Sequence, residues 1–356
     1  MPIPSHSKKI INAWCLYDWA NSAFATTVMA AILPVYFRNV SAAGLEGHGT
    51  HLATSVWGYT TSFAMLLVAV LSLLLGPIAD AGSSKKRFLA VFAAIGIVFS
   101  SLLAVTGFGD WIQVAVFFTL AEIGFAVGEV FYDAMLPHIA GPGRIDAVSM
   151  RGYALGYLGG GLLLGLNILM IGMLPGTVPP GGGEAVPLTG MRLSFLTVGL
   201  WWGVFSIPLF RRVPEIGGEN RNLRGMNPVR LSLRRLRSTF SGIRSYRSLF
   251  LFILAFWFYN DGIGTIIKMA TAYGDEIGIG VFDLVGALLL TQFIGIPCSL
   301  AFGRLAARIG AKAAILAGLA VYIGITIGGV FMTRAAHFWI LAGMVGVVQG
   351  GTQGLS

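Results

Sequence analysis

Residues 62–87 read SFAMLLVAVLSLLLGPIADAGSSKKR. Up to Leu75 the only polar side chains are the hydroxyls of Ser62 and Ser72. Traced back to residue 54, the run covers about 20 residues, the length a helix needs to cross the hydrocarbon of a bilayer. It has no charged face, so it does not read as the half-solvated surface helix of a soluble domain. It stops at Gly76-Pro77, passes one carboxylate, Asp80, and closes on Lys85, Lys86 and Arg87. An apolar run that ends in a short cationic turn reads as a membrane crossing whose basic end faces the cytosol.

The pattern recurs along the chain. Ten spans are predicted, at about 12–37, 54–75, 88–107, 112–136, 153–173, 193–210, 249–272, 281–302, 313–332 and 338–356. Composition agrees: 56% of the 356 residues are hydrophobic and 11% charged, with a mean hydropathy of +0.79. That balance leaves too little polar surface for a soluble protein. The 49 glycines fit helices that approach closely in lipid. Lys8 and Lys9 precede the first run with no small-residue cleavage site after it, so the first span reads as a retained helix rather than a signal peptide.

Alternating the spans from a cytosolic N-terminus puts 20 of the 24 Lys and Arg residues on the cytosolic side. Only Arg38, Arg192 and Arg334 fall outside, and Lys268 lies within a span. The net charge of +9 is therefore positive-inside bias. No nucleic-acid motif accompanies it, and no nucleic-acid partner is expected. Ten arginines fall between residues 211 and 247. There Val229, Leu233, Leu236, Phe240 and Ile243 repeat at helical spacing among arginines. This reads as an amphipathic helix on an anionic leaflet, with a solvated basic linker as the alternative. The chain thus divides into residues 1–210 with six spans, a linker at 211–248, and residues 249–356 with four. Its last run ends at VVQGGTQGLS without a basic flank, so the second part is expected to lack two spans relative to the first.

The two parts share features in the same order. GPIADAGSSKKR after the second span faces GRLAARIGAK after the eighth. LYDWANS in the first span faces FYNDGIG in the seventh, and Glu129 and Asp133 in the fourth face Gln349 and Gln353 in the tenth. Duplication explains that order economically. GPIADAGSSKKR resembles the loop motif of the major facilitator superfamily, although Ala81 stands where a basic residue usually follows the aspartate. YDWANSAFATTV, SMRGYALGYLGGGLLL, FYNDGIGTIIKMA, YGDEIGI and VQGGTQ together resemble its vacuole-effluxer-like branch. That branch comprises fungal vacuolar amino-acid effluxers linked to autophagy and many bacterial relatives. The resemblance implies an all-α fold of two pseudo-symmetric six-helix bundles, here short of the last two helices. The compact loops look like those of the bacterial members. It also implies a cavity lined by helices one, four, seven and ten.

Polar groups at membrane depth are expensive, which makes each a candidate functional residue. In the first span Asp18 and Asn21 share a face with Ser22. In the fourth, Glu122, Glu129 and Asp133 lie along one stripe. The seventh carries Asn260, Asp261 and Lys268; Asp261 and Lys268 share one face two turns apart, and Lys268 needs an anion: Asp261 or a carboxylate of the fourth span. Gln292, Gln349 and Gln353 add amides. Asp18, Asn21, Glu122, Glu129, Asn260, Asp261, Lys268, Gln292, Gln349 and Gln353 are thus expected at a solute or proton cavity, with helix bracing as the other reading of each. Asp80, Lys85, Lys86, Arg87, Asp133, Arg144 and Arg151 are expected at a cytosolic gate.

Gly152, Gly156 and Gly160 have small-xxx-small spacing for close packing. Cys15 and Cys298 read as buried free thiols. The five histidines form no zinc pattern, and no metal or cofactor is expected. No nucleophile–base pair appears at membrane depth, so an intramembrane enzyme is a weak reading and a non-transporting receptor or scaffold an open one. The favoured expectation is a monomeric, multi-pass transporter of a small polar solute working by alternating access. The family points to amino acids or related metabolites, with efflux as a direction; the buried acids point to a proton as a coupling ion. The membrane is the cell membrane for a bacterial protein and the vacuolar membrane for a fungal one.

Overall fold

The computed structural model describes residues 8–48, 52–82, 84–141, 143–180, 182–215 and 247–355. These residues are helical throughout, apart from short connections and one bridge between Thr177 and Val186. Ten long helices follow the ten predicted spans in order: α1 (Lys8–Ser41), α2 (Leu52–Gly82), α3 (Lys85–Leu102), α4 (Trp111–Asp133), α5 (Ile145–Met173), α6 (Leu188–Arg212), α7 (Arg247–Glu276), α8 (Val281–Ile309), α9 (Ala311–Val330) and α10 (Ala335–Gly354). Among the described residues nine of these have the length and apolarity of a membrane span. The exception is α10, which carries Gln349 and Gln353. Several helices outrun their predicted spans because the helix continues past the hydrocarbon into polar turns. Thus α5 begins at Ile145, two turns before residue 153. The amphipathic stripe Val229–Ile243 lies outside the described residues.

Helix α1 forms the hub, with 89% of its apolar window buried. Trp14, Tyr17, Phe24, Tyr36 and Phe37 are each 1% exposed or less. It is not a plain α-helix: Phe24–Ile32 and Phe37–Ser41 are π-helical, separated by one α turn at Leu33–Tyr36. Pro34 lies in that turn and has no N–H for the Ala30 carbonyl four residues back. The Thr271 hydroxyl of α7 donates to that carbonyl instead, at 2.6 Å. A local gap in the backbone ladder is thus filled by a helix from the last four spans. Helix α7, by contrast, has only 6% of its apolar window buried.

Glycines set the closest approaches. Side chains of α1 occupy the positions that Cβ atoms would take on α5: Asp18 and Trp14 at Gly152, Ser22 at Gly156, Trp19 at Gly159 and Thr26 at Gly160. Gly310, at φ +87°, reverses the chain between α8 and α9 with no further loop residue. The outward faces carry Leu66, Leu73, Val91, Val98, Leu200, Val204, Ile323 and Ile340, all exposed. They form the surface expected against lipid.

Candidate functional site

Two groups of polar side chains lie inside the helix packing. The first joins α1 to α4. The Asn21 amide donates a short hydrogen bond to Glu129 Oε1. The Tyr132 hydroxyl lies 2.8 Å from Asp18 Oδ2 and 3.1 Å from the Trp14 carbonyl, with one proton to offer the two acceptors. Trp14 returns a bond from its indole N–H to the Tyr132 carbonyl at 3.2 Å, and the two rings stack at 4.2 Å. Asp18 is half-buried under Gly152, and Asp133, a turn beyond Glu129, is exposed at the basic end. The cluster is two carboxyls held by neutral donors.

The second group joins α4 to α7. Lys268 Nζ lies 2.5 Å from Glu122 Oε1, with side-chain exposures of 10% and 2%. Its other contact is Met65 Sδ at 2.9 Å, a weak acceptor on α2. Among the described residues Glu122 Oε2 is buried without a partner. The Lys268 carbonyl receives the Trp57 indole N–H at 3.4 Å. The sequence left Asp261 and the α4 carboxylates open as the counter-ion, and the structure assigns Glu122. Asp261 is exposed, as is Asn260. Seven residues along a helix is about 10 Å, beyond the reach of an ion pair along one face.

At the end opposite the basic turns, Arg38 of α1 pairs with Asp275 of α7 at 2.7 Å, and Asn39 donates to the same carboxylate at 3.2 Å. Asp275 escaped the sequence reading because it sits at a span end, where a carboxylate is ordinary. Arg38 retains 21% side-chain exposure. Its replacement by alanine leaves Asp275, at 10% side-chain exposure, short of its cation and is expected to lower stability by about 1–3 kcal/mol, measured by denaturant unfolding. A larger loss would mean the pair is better shielded than its exposure implies.

The family model for vacuole effluxer Atg22-like proteins matches residues 6–145 and 142–356. The chain belongs to the vacuole effluxer Atg22-like family. It is 37% identical over 347 residues to the uncharacterized MFS-type transporter YxiO of Bacillus subtilis (strain 168), an alignment covering 97% of this chain and 78% of YxiO. Its fold matches the xylose transporter XylE of E. coli in a partially occluded inward-open conformation: TM-score 0.57, 14% identity, 98% of this chain and 84% of that one. A D-xylose-proton symporter matches at TM-score 0.58, 14% identity, over 98% of this chain and 79% of that one. The likeness to these two is one of fold. This Atg22-like protein is accordingly an all-helical, multi-pass membrane transporter of the major facilitator type and not an enzyme.

The remaining expected residues of the Atg22-like chain fall in several places. Gln292 of α8 is 7% exposed with Oε1 unpartnered, and it packs on Gly161 of α5. Gln349 and Gln353 are half-buried on α10. At the basic end, Lys85 Nζ donates to the Ala134 carbonyl at 3.3 Å, and Lys86 Nζ to the Val213 carbonyl at 2.8 Å. These cations tie α3 to the ends of α4 and α6. Arg87, Arg144 and Arg151 are exposed, and the Asp80 side chain lies outside the described residues. Among the described residues no three His, Cys, Asp or Glu are grouped as metal ligands. A groove of about 490 Å³ between α2 and α4 is lined by Val56, Tyr59, Phe63, Trp111, Val116 and their neighbours. Its lining carries no charged group.

Proposed function

We propose that this transporter moves a small polar solute, an amino acid or a related metabolite, by alternating access. Two bundles, residues 1–210 and 249–356, rock about the polar groups of α1, α4 and α7, and the basic end faces the cytosol. The direction is export from the cytosol, and a proton is the coupling ion. The observation that carries the reading is the Glu122–Lys268 pair, a charge contact between the two bundles in a buried setting where structure alone gains little from it. Glu129, bonded to the Asn21 amide rather than to a cation, is the carboxyl suited to take and release a proton.

The test is uptake into proteoliposomes of a panel of labelled amino acids and polar metabolites, with and without a pH gradient. At least one solute is expected to accumulate with the gradient. Glu129→Gln is expected to lose gradient-driven accumulation by about tenfold or more while retaining exchange of solute for solute. Full gradient-driven uptake by Glu129→Gln would remove the proton assignment. Failure of every solute would remove the substrate class.

A further inference from the structure

Helix α5 presents three large side chains in succession, Met150, Tyr153 and Tyr157, to α8 and α10 across the chain's two parts. Each meets a glycine. Met150 fills the Cβ position of Gly354 and lies 3.0 Å from that of Gly303, while Tyr153 lies 3.0 Å from that of Gly354. The Tyr157 ring sits deepest. A methyl group on Gly295 would lie 2.9 Å from its Cδ1, and one on Gly350 would lie 2.7 Å from its Cε2. The ring therefore fills a slot that exists only because both facing residues lack side chains.

Tyr157 is 7% exposed, and among the described residues its hydroxyl has no hydrogen-bond partner. The polar contact along this seam is Ser149 Oγ to the Gly354 carbonyl, at 3.1 Å. The other end differs, with Arg38–Asp275 as a charge contact between the same two parts, while Glu122–Lys268 joins them at the middle of α4. The opposite end is thus held by charge, and the seam nearer the basic end by shape. Shape contacts of this kind have two discrete arrangements, seated or withdrawn. The stranded hydroxyl opposes the seated one, because a buried donor without a partner is unfavourable and water would satisfy it on withdrawal.

We propose that Tyr157 is the plug of the gate at the basic end, seated between Gly295 and Gly350 when that end is closed. The proposal rests on the alternating-access reading. Tyr157 here is a positioning residue for transport, and no contact with solute is needed for it to act.

Ser299 supplies the reporter. It is 1% exposed, and its Cβ lies 2.9 Å from the Cβ position of Gly350, one wall of the slot. With Cys15 and Cys298 replaced by alanine, Ser299→Cys is labelled by a membrane-impermeant maleimide added from the basic side. Gly295→Ala, whose methyl would meet the Tyr157 ring first, closes the slot and is expected to speed labelling by roughly fivefold or more. Tyr157→Phe removes the stranded hydroxyl and is expected to slow it by a similar factor. Gly295→Ala with Tyr157→Leu is expected to return toward the parent rate. A second reporter, Ala272→Cys on α7, is 1% exposed nearer the opposite end and is expected to label no faster in any variant.

Shifts of the same sign in Gly295→Ala and Tyr157→Phe, or an unchanged rate in Tyr157→Phe, would overturn the gate. So would faster labelling of both reporters, which signals general loosening. Labelling needs no solute. Opposed shifts with no transported solute would therefore sink the substrate reading and leave the gate, while unchanged labelling with intact transport would do the reverse.

Discussion

Lys268→Ala is expected to destabilise the protein by about 3–5 kcal/mol, seen as a lower midpoint of denaturant unfolding in detergent. The cause is what the substitution leaves behind. Glu122 is 1% exposed and already has one oxygen without a partner. Without the ammonium, its other oxygen is stranded in the same low-dielectric setting. Glu122→Ala strands Lys268 in turn, with only the Met65 sulfur beside it. The double variant Glu122→Leu/Lys268→Met is expected to recover most of the loss, because two apolar side chains of similar size ask nothing of the interior. Near-additive single losses in that cycle would show that the two side chains are not coupled.

The same cycle separates structure from function. A buried ion pair is weak support for stability, since its desolvation offsets much of its attraction. If the pair only braced α4 against α7, the apolar double variant would fold and still transport. The alternating-access reading expects it to fold and lose solute movement by about tenfold or more. Stability and transport are thus predicted to part in a single protein, an outcome that bracing alone does not produce.

The ten spans were legible because lipid crossing demands long apolar runs, and no tertiary contact can substitute for them. The polar residues were legible for the same reason: each stands out against its run. Their partners were not. Spacing placed Asp261 and Lys268 on one face, but Lys268 turns to Glu122 on another helix, a choice made by packing. LYDWANS and FYNDGIG occupy matching places in the two parts, as duplication would leave them. The structure packs Asp18 and Asn21 between α4 and α5, yet leaves Asn260 and Asp261 exposed, so a shared pattern did not bring a shared environment. Tyr132 and Tyr157 carried no signal beyond being aromatic. Thr271 had an indirect one. Pro34 leaves a carbonyl without its usual donor, which asks for a hydroxyl from elsewhere, although the sequence cannot say from which helix.

Gly124→Ala is expected to be the most damaging one-carbon change in the helix packing. Its Cβ would fall on the Gly96 nitrogen and lie 2.6 Å from both Gly96 Cα and the Phe92 carbonyl oxygen. All three are backbone atoms of α3, so no side chain can rotate away. Nor can α3 give way freely, because the Cβ position of Gly96 is filled by the indole of Trp202 on α6, which is 0% exposed. Three helices meet there, and the one side chain between them, Trp202, is fully buried. Overpacking in a core costs about 1–3 kcal/mol, and contact with backbone puts this case at or above the upper end. One turn on, Gly128 is the control: its Cβ would meet Leu89 Cδ1 at 3.6 Å, ordinary contact. Gly128→Ala should therefore be neutral, or gain up to about 1 kcal/mol of helix propensity. The damage should also reach the site, since Glu122 lies two residues from Gly124 and any shift of α4 moves its carboxylate relative to Lys268. Comparing the melting of the two alanine variants decides the matter. A Gly124→Ala protein as stable as Gly128→Ala would mean that α3 and α4 are not in backbone contact.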